Sequence, residues 1–138
     1  MKFLLDSNTV SEWVKPRPNA GVIDWMGSID DDLVFLSVVS LAEVRYGIER
    51  LAHGNRRRRL EEWLERELPL RFEGRILPVN QGIADAWGRI VALCASNGSP
   101  ISAIDGFLAA TAEVHGLTLV TRNVPHFTVL KTVLNPWT

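Results

Sequence analysis

The hydrophobic residues of this chain follow two patterns in turn: short apolar runs, and longer segments in which apolar residues recur every three or four positions. The apolar runs predict β-strands, which cover residues 2–6, 33–37, 76–79 and 117–121. The helical spacing predicts α-helices, which cover residues 19–29, 41–51, 55–68, 81–95 and 102–115. Residues 127–133 are predicted to add a short edge strand. Strands therefore alternate with helices along the chain.

This alternation determines the predicted architecture. Consecutive strands separated by helices pair in parallel through right-handed crossovers, which places helices on both faces of the sheet. We therefore predict an α/β fold, a three-layer α/β/α sandwich around a central parallel sheet of four to five strands. The chain has no internal repeat and no low-complexity linker, so residues 1–138 are predicted to form a single domain.

The composition supports this architecture and limits the kinds of function. A chain of 138 residues with 46% hydrophobic residues and five tryptophans can bury a core without disulfides or a structural metal. The single cysteine, Cys94, excludes a disulfide framework within the chain, and its apolar helical surroundings favour a core position. The formal net charge of −1 argues against a broadly basic surface, so nucleic-acid binding would need a local basic patch.

The sequence shows no membrane or export signal. Its N-terminal apolar run is too short for the hydrophobic region of a signal peptide. No stretch approaches the roughly 18 apolar residues that a membrane span needs. We therefore expect a soluble, cytoplasmic protein with no membrane partner.

Three acidic residues, Asp6, Glu43 and Asp105, are predicted to lie at the starts of helices that follow strands. The carboxyl ends of strands in an α/β sheet open into one crevice, so these side chains are expected to meet there. Three carboxylates in one crevice would repel one another unless a cation balanced them. Magnesium or manganese is the natural ion, because hard cations prefer oxygen ligands. Zinc is disfavoured, since the three histidines lack ligand spacing.

Each of these acids also has a purely structural interpretation. Ser40 and Glu43 have the spacing of a capping box, and Ser102 and Asp105 resemble the same device with a shorter acid. Asp6 could cap a helix or turn the chain after a strand. Such caps are common and typically contribute about 1 kcal/mol. The combination of the three acids is therefore more informative than any one of them.

The motifs around these acids resemble those of the PIN-domain ribonucleases, and most closely those of the VapC-type toxins of type II toxin–antitoxin modules. The resemblance rests on the order and spacing of four segments, which are LLDSNTVSE at 4–12, LAEVRYGIERL at 41–51, AWGRI at 86–90 and IDGFLAATAEVHGLTLVTRNVPHF at 104–127. It implies a PIN-like fold and a metal-dependent endoribonuclease that acts as a toxin. By this resemblance Asp6, Glu43 and Asp105 are catalytic, and Asp6 and Asp105 bind Mg²⁺ or Mn²⁺.

The resemblance also implies partners and auxiliary residues. The substrate would be RNA, a cognate antitoxin protein would bind the chain, and the chain would form a homodimer. Trp13 and Trp25 belong to the early helices, where the family has its antitoxin groove and dimer contacts, although burial within the monomer is an equal alternative. Asn8, Thr121 and Asn123 are assigned as auxiliary site residues.

The chain departs from the family pattern at the fourth acid. The two positions at which the family places that acid hold Asn123 and His126. Asn123 is predicted to hydrogen-bond a water on the metal. For His126 we favour an ordinary loop histidine over a contact to RNA phosphate or to the metal shell. The missing acid supports an alternative function, a catalytically weakened PIN-like binding protein.

Residues 56–59 are four consecutive arginines, the only obvious basic patch. The favoured interpretation is a solvated helix face that pairs with the glutamates following it, at 61, 62, 65 and 67. The alternative is a contact surface for RNA. Trp63 and Trp87 lie on apolar helix faces and are predicted to be core residues.

Two other classes of protein, an enzyme and a signalling domain, also depend on an aspartate at the end of a strand. A haloacid-dehalogenase-like phosphatase needs a second acid two residues after the first, where this chain has Asn8. A phosphoacceptor receiver domain needs its acceptor aspartate after a middle strand and a lysine near a late strand. The late strand here leads instead into Thr121 and Arg122. Both classes are therefore disfavoured.

Overall fold

The computed structural model describes residues 1–138 and contains one five-stranded sheet. The strands are β1 (Phe3–Leu5), β2 (Val34–Ser37), β3 (Ile76–Leu77), β4 (Thr118–Val120) and β5 (Val133–Leu134). All neighbouring strands are parallel, in the order β3-β2-β1-β4-β5. The predicted parallel sheet is therefore confirmed, but the edge strand predicted over residues 127–133 forms only at the end of that segment, as Val133–Leu134. Phe127 lies instead in a 3₁₀ turn, Val124–Phe127, whose second residue is Pro125, at a position in the first turn where no N–H partner is needed.

Seven α-helices connect and cover the strands. They are α1 (Ser7–Glu12), α2 (Ala20–Ser28), α3 (Val38–Glu49), α4 (Asn55–Glu62), α5 (Leu68–Arg71), α6 (Gln81–Ser96) and α7 (Ala103–His115). A π-helical turn, Trp63–Glu67, joins α4 to α5, so the predicted helix over 55–68 is helical throughout but not uniformly α. No helix has the length and apolar character that crossing a membrane would require.

The start of α3 differs from the prediction, and this changes the role of one serine. Ser37 caps the helix by accepting a hydrogen bond from the Val39 N–H at 3.0 Å. Ser40 lies inside the helix, where its hydroxyl donates to the Leu5 carbonyl at 3.5 Å. The capping-box interpretation of Ser40 and Glu43 is therefore wrong, because the helix begins one turn earlier than the apolar spacing alone indicated.

The side chains of β1 alternate between two hydrophobic cores. Phe3 and Leu5 pack into one core with residues such as Val22 of α2, whereas Leu4 packs into the other with residues such as Leu108 of α7. Period-two alternation of this kind sends successive side chains to opposite faces of a sheet. Helices therefore cover both faces, which confirms the predicted three layers.

Burial confirms some of the predicted core residues. Cys94 and Trp63 are buried, whereas Trp87 is only half-buried. The indole N–H of Trp87 donates to the Ala103 carbonyl at 3.0 Å, which ties α6 to the first turn of α7. This contact fixes the start of the helix that carries Asp105.

The strand order places a switch point in the middle of the sheet. From β1 the chain builds outward through β2 and β3 on one side, and β4 and β5 occupy the other side. In open α/β sheets, ligands bind outside the carboxyl ends of the strands at such a point. Asp6 directly follows β1 and Thr121 directly follows β4, so both lie at this edge.

Candidate acidic active site

Asp6 is a buried helix cap with both carboxylate oxygens engaged. Its Oδ1 accepts hydrogen bonds from the N–H of Thr9 at 2.8 Å and from the hydroxyl of Thr9 at 2.7 Å. Its Oδ2 accepts a bond from the hydroxyl of Thr121 at 2.5 Å. The side chain is held between β1, α1 and the end of β4, and the residue is 4% exposed. The cap interpretation of Asp6 is confirmed, and these contacts also fix the orientation of its carboxylate.

Burial and a neighbouring charge make the ionised form of Asp6 costly. Burial raises the pKa of Asp6, the hydrogen bonds from Thr121 and Thr9 lower it, and the negative charge of Asp105 raises it, with a net upward shift. No ion pair in the structure involves Asp6. A cation bound beside Asp6 would favour its charged form.

Glu43 lies in the middle of α3, not at its start as predicted, and is held from α1. The hydroxyl of Ser7 donates to Glu43 Oε1 at 2.9 Å. Burial raises the pKa of Glu43, the Ser7 bond lowers it, and the charges of Asp105 and Asp6 raise it, with a net upward shift. The three predicted acids therefore share one electrostatic environment.

Asp105 reaches this environment by a route that differs from the prediction. It lies in the first turn of α7, which follows α6 and precedes β4, so no strand leads directly into it. The C-terminus of α7 leads into the start of β4, which is parallel to the other strands. The first turn of α7 therefore lies at the opposite edge of the sheet, where the strands end. The Asp105 N–H donates to the Ser102 hydroxyl at 3.1 Å, which confirms Ser102 as the cap.

His126 contacts an acid of the site. Its Nδ1 lies 3.3 Å from Asp105 Oδ2, and its side chain is 60% exposed. His126 occupies one of the two positions at which the family pattern places a fourth acid. The structure thus makes His126 a partner of the site, whereas the sequence predicts an ordinary loop histidine.

The three auxiliary residues have unequal roles in the structure. Thr121 bonds Asp6 directly. Asn123 contributes its backbone N–H, which donates to the Thr121 hydroxyl at 3.0 Å, and its side chain makes no hydrogen bond. Asn8 is exposed and lines a cavity of about 280 Å³ that also contains Glu43. Only Thr121 and Asn123 are therefore connected to Asp6 by hydrogen bonds.

Two hydroxyl residues that hold the acids, Ser7 and Thr9, were not predicted from the sequence. The Thr9 hydroxyl lies 2.7 Å from Asp6 Oδ1 and 2.9 Å from the Val120 carbonyl oxygen, so its single proton is shared between these acceptors, and Ser7 donates to Glu43. Both belong to the DSNT segment that immediately follows β1. A threonine three residues after a capping aspartate is a local signal for the first contact. The second contact spans 36 residues and has no local signal.

The carboxylates and hydroxyls of the site are suitable ligands for a hard cation, but they do not form a complete coordination shell. No group of three or more His, Cys, Asp or Glu side chains is assembled closely enough to hold a metal ion. The charge-coupled groups are nevertheless carboxylates accompanied by hydroxyls, which are oxygen donors. Magnesium keeps several waters and needs only one or two carboxylates from the protein. The residues therefore fit a divalent ion that two acidic side chains bind better than a divalent ion that three acidic side chains enclose.

Fold and site define a class of α/β proteins with an acidic, oxygen-rich site at the switch point of a parallel sheet. A family model described as PIN domain matches residues 3–125, and the chain belongs to this family. The predicted resemblance to PIN-domain, VapC-type toxins is confirmed.

Relatives of the chain match nearly its whole length. It is 38% identical to "Toxin FitB" of Neisseria gonorrhoeae over 136 residues, which cover 98% of each chain. It is 31% identical to "VapC ribonuclease Y4jK" of Sinorhizobium fredii, over 98% of this chain and 97% of the relative. The crystal structure of FitAcB from Neisseria gonorrhoeae superposes with a TM-score of 0.92 at 38% identity, covering 98% of each chain.

Proposed function

We propose that the chain is a metal-dependent endoribonuclease that acts as the toxin of a bacterial toxin–antitoxin system and hydrolyses phosphodiester bonds in RNA. The observation that carries this proposal is the environment of Asp6. Its buried carboxylate is fixed by Thr9 and Thr121, feels the charge of Asp105 and has no basic partner. The names of the relatives support the same activity, since one is a toxin and another a ribonuclease.

Asp6 and Asp105 would hold Mg²⁺ or Mn²⁺, with Mg²⁺ as the first expectation. A bound divalent ion polarises a phosphoryl oxygen and lowers the pKa of a water molecule that it binds. Asp6 is already fixed by hydrogen bonds, so binding an ion would need little reorganisation of its carboxylate. His126 would orient Asp105 through the contact to Oδ2.

Glu43 is suited to orient and deprotonate the attacking water. The Ser7 hydroxyl bonds only Oε1 of Glu43, at 2.9 Å, so the side chain is held in place while Oε2 can accept a proton from a water molecule. In the proposed reaction the water oxygen attacks phosphorus and gives a proton to Glu43, the bond from phosphorus to the leaving oxygen breaks, and the leaving oxygen takes up a proton from solvent. We favour this role over completion of the metal shell, since the three acids do not form a closed ligand group.

A cognate antitoxin, a homodimeric state and a cytoplasmic location complete the proposal. Trp13 and Trp25, the candidate interface residues, are both half-buried within the monomer. Trp25 packs edge-on against Phe3, with ring centroids 5.1 Å apart, and Trp13 packs against Phe72. Each therefore contributes to the core and keeps a solvent-accessible surface for a partner.

One observation favours a second candidate, a PIN-like binding protein with weakened catalysis. His126 occupies a position of the missing fourth acid, so the site has one negative charge fewer than the family pattern provides. Fewer acids would weaken the binding of a divalent ion.

A cleavage assay separates the two candidates. The purified, partner-free chain is incubated with cellular RNA in Mg²⁺ or Mn²⁺ and in excess EDTA, beside Asp6→Asn and Asp105→Asn. Asp85→Asn serves as a control, because Asp85 is highly exposed and pairs only with Arg89. We expect discrete cleavage that both site variants and EDTA abolish and that the control retains. Full activity in EDTA would exclude the metal mechanism, and a folded, metal-binding but inactive wild type would support the binding protein.

A further inference from the structure

The four arginines at 56–59 are not equivalent. Arg57 is mostly buried and donates to Glu61 at 2.8 Å, to Glu49 at 3.0 Å and to a backbone carbonyl. Arg58 bonds the side-chain oxygen of Asn55. The predicted paired helix face is therefore correct for Arg57, and Arg58 also has a local partner.

Arg56 and Arg59 differ from their neighbours. Both are exposed, and neither side chain makes a hydrogen bond or an ion pair. They are three residues apart on α4, so they lie on the same face of that helix. Both line a cavity of about 470 Å³ whose other walls include Trp13 and Trp63. The unpaired arginines therefore face a concave surface.

This cavity adjoins the one that contains Glu43. The two cavities share five lining residues, among them Lys15 and Arg56. The smaller cavity is also lined by Asn8 and Glu43, which do not line the larger one. We call the joined cavities the arginine groove, with Arg56, Arg59 and Lys15 at its basic end and Glu43 at its acidic end.

The charges of the groove fit a polyanion whose reacting group lies near Glu43. Acids at the site repel phosphate, and the chain carries a formal net charge of −1, so affinity for a nucleic acid must come from a local patch. Arginine suits this task because its planar guanidinium forms paired hydrogen bonds to phosphate oxygens. Lys15 already pairs with Glu12 at 2.9 Å, and Glu67 is the only acid on the wall of the larger cavity. The free positive charge in the larger cavity therefore comes from Arg56 and Arg59, whose two charges exceed the single negative charge of Glu67.

We propose that the arginine groove binds the backbone of a single RNA strand, with Arg56 and Arg59 contacting phosphates away from the bond that is cleaved. This inference rests on the proposed ribonuclease function and adds a substrate-positioning site to it. The two arginines offset the repulsion between the acids and the strand. They also set the direction in which the strand leaves the site.

The test measures binding of a fluorescent single-stranded oligoribonucleotide of about 12 nucleotides. This length is within the range that single-strand-binding sites cover. The measurement uses an Asp6→Asn background, to prevent cleavage, over a series of salt concentrations. The test variant is Arg56→Glu with Arg59→Glu. The control is Arg58→Glu with Arg66→Glu, which changes the net charge equally. Arg66 lies in the adjoining π-helical turn, pairs with Glu62 and does not line the groove.

We expect the groove variant to weaken RNA binding by about tenfold or more. The slope of log affinity against log salt should become shallower by about 1.4, which corresponds to roughly 0.7 for each of two lost phosphate contacts. The control should keep most of the wild-type affinity and slope. Arg56→Gln with Arg59→Gln should show the same loss in weaker form, and circular dichroism verifies the fold of each variant.

The outcomes distinguish this inference from the proposed function. If wild type cleaves RNA but groove and control variants bind it equally well, the groove assignment is overturned and the ribonuclease stands. Loss of binding to a protein partner, with RNA binding intact, would also overturn it and make the groove a protein-docking surface. If wild type neither binds nor cleaves RNA, the proposed function and this inference fail together.

Discussion

The hydroxyl of Thr121 donates a 2.5 Å hydrogen bond to Asp6 Oδ2 and thereby joins the ends of two neighbouring parallel strands. The same hydroxyl accepts the N–H of Asn123 at 3.0 Å. Thr121 is fully buried, and 115 residues separate it from Asp6 in the sequence. The orientation of the central acid therefore depends on the pairing of β1 with β4.

Replacing Thr121 with valine should damage both stability and catalysis. Thr121→Val keeps the shape but leaves one buried oxygen of Asp6 without its donor and the Asn123 N–H without its acceptor. We expect a loss of about 1–3 kcal/mol in the free energy of unfolding, measured with urea. RNA cleavage should fall more than RNA binding, and Thr121→Ser should restore both.

Thr111→Val is the matched control for this change. Thr111 is also buried, and its hydroxyl donates at 2.7 Å to the Phe107 carbonyl within α7, away from Asp6. It should alter stability without a comparable effect on turnover. If Thr121→Val cleaved RNA like wild type, the link from Thr121 to the function of Asp6 would be wrong.

Gly106, next to Asp105, should not tolerate a side chain. A Cβ at this position would lie 2.8 Å from Trp87 Nε1 and 2.9 Å from Val91 Cγ2, both on α6. Gly106→Ala must therefore displace α7 or break the bond between Trp87 and Ala103. We expect destabilisation by about 1–3 kcal/mol in urea unfolding, together with reduced RNA cleavage, because the first turn of α7 carries Asp105.

Gly88→Ala provides the comparison on the facing helix. Gly88 is exposed in α6, and a Cβ there would meet nothing within 4 Å. Removing a glycine from such a helix interior should stabilise the protein by roughly 0.5–1 kcal/mol. Equal effects of the two substitutions would show that close packing at Gly106 does not matter.

His126 should control how firmly Asp105 holds a divalent ion. Residues that hydrogen-bond metal ligands typically account for about 10–100-fold in metal affinity. We expect His126→Ala to weaken Mg²⁺ binding by about tenfold, measured by titration calorimetry on the RNA-free protein. His126→Asp would restore the acid of the family pattern and should bind Mg²⁺ more tightly than wild type.

His115→Ala is the control for the histidine experiment, since His115 is exposed at the far end of α7. It should leave the Mg²⁺ affinity unchanged. If His126→Ala and His115→Ala bound Mg²⁺ with identical affinities, the contact between His126 and Asp105 would have no role in metal binding.

The sheet was predictable because its strands and helices carry local periodic patterns. Residues 3–5 read as a buried strand from three consecutive apolar residues, and they form β1 at the centre of the sheet. The start of α3 was misplaced by three residues, because Ser37 and Val38 look like a continuation of the preceding strand. Local pattern therefore predicts elements better than their boundaries.

The site was predictable in its acids but not in the groups that hold them. Family resemblance and position selected Asp6, Glu43 and Asp105, which the structure places in one electrostatic environment. The contact of Ser7 with Glu43 joins residues from separate elements, and no spacing in the sequence encodes it. The contact of His126 with Asp105 likewise depends on the path of the chain after β4.

Removing the charge of Glu43 should stabilise the metal-free protein at high pH. Burial, followed by the charges of Asp105 and Asp6, raises the pKa of Glu43 above its ordinary value of 4.5. The folded protein therefore keeps this proton to a higher pH than the unfolded chain does. The resulting stability is fully present below the ordinary value and is lost as the pH rises through the folded value.

Thermal unfolding in EDTA tests whether ionisation of Glu43 destabilises the folded protein. Glu43→Gln should have a higher Tm than wild type at about pH 8, and the difference should vanish at about pH 4, where glutamate is largely protonated. Added Mg²⁺ should reduce the difference at the higher pH, because wild type alone keeps all three acids and gains more from the ion.

Glu12 provides a control, because its pKa is shifted in the direction opposite to that of Glu43. Burial raises the pKa of Glu12, but bonds from Lys15 and the Asn19 N–H and the charges of Lys15 and Arg122 outweigh burial and lower it. Its contribution to stability is thus present above 4.5 and is lost as the pH falls through the folded value. Glu12→Gln should therefore have a lower Tm than wild type at about pH 8, with the gap closing in acid. If both variants shifted Tm in the same direction at the higher pH, the burial and charge repulsion assigned to Glu43 would not be the source of its effect.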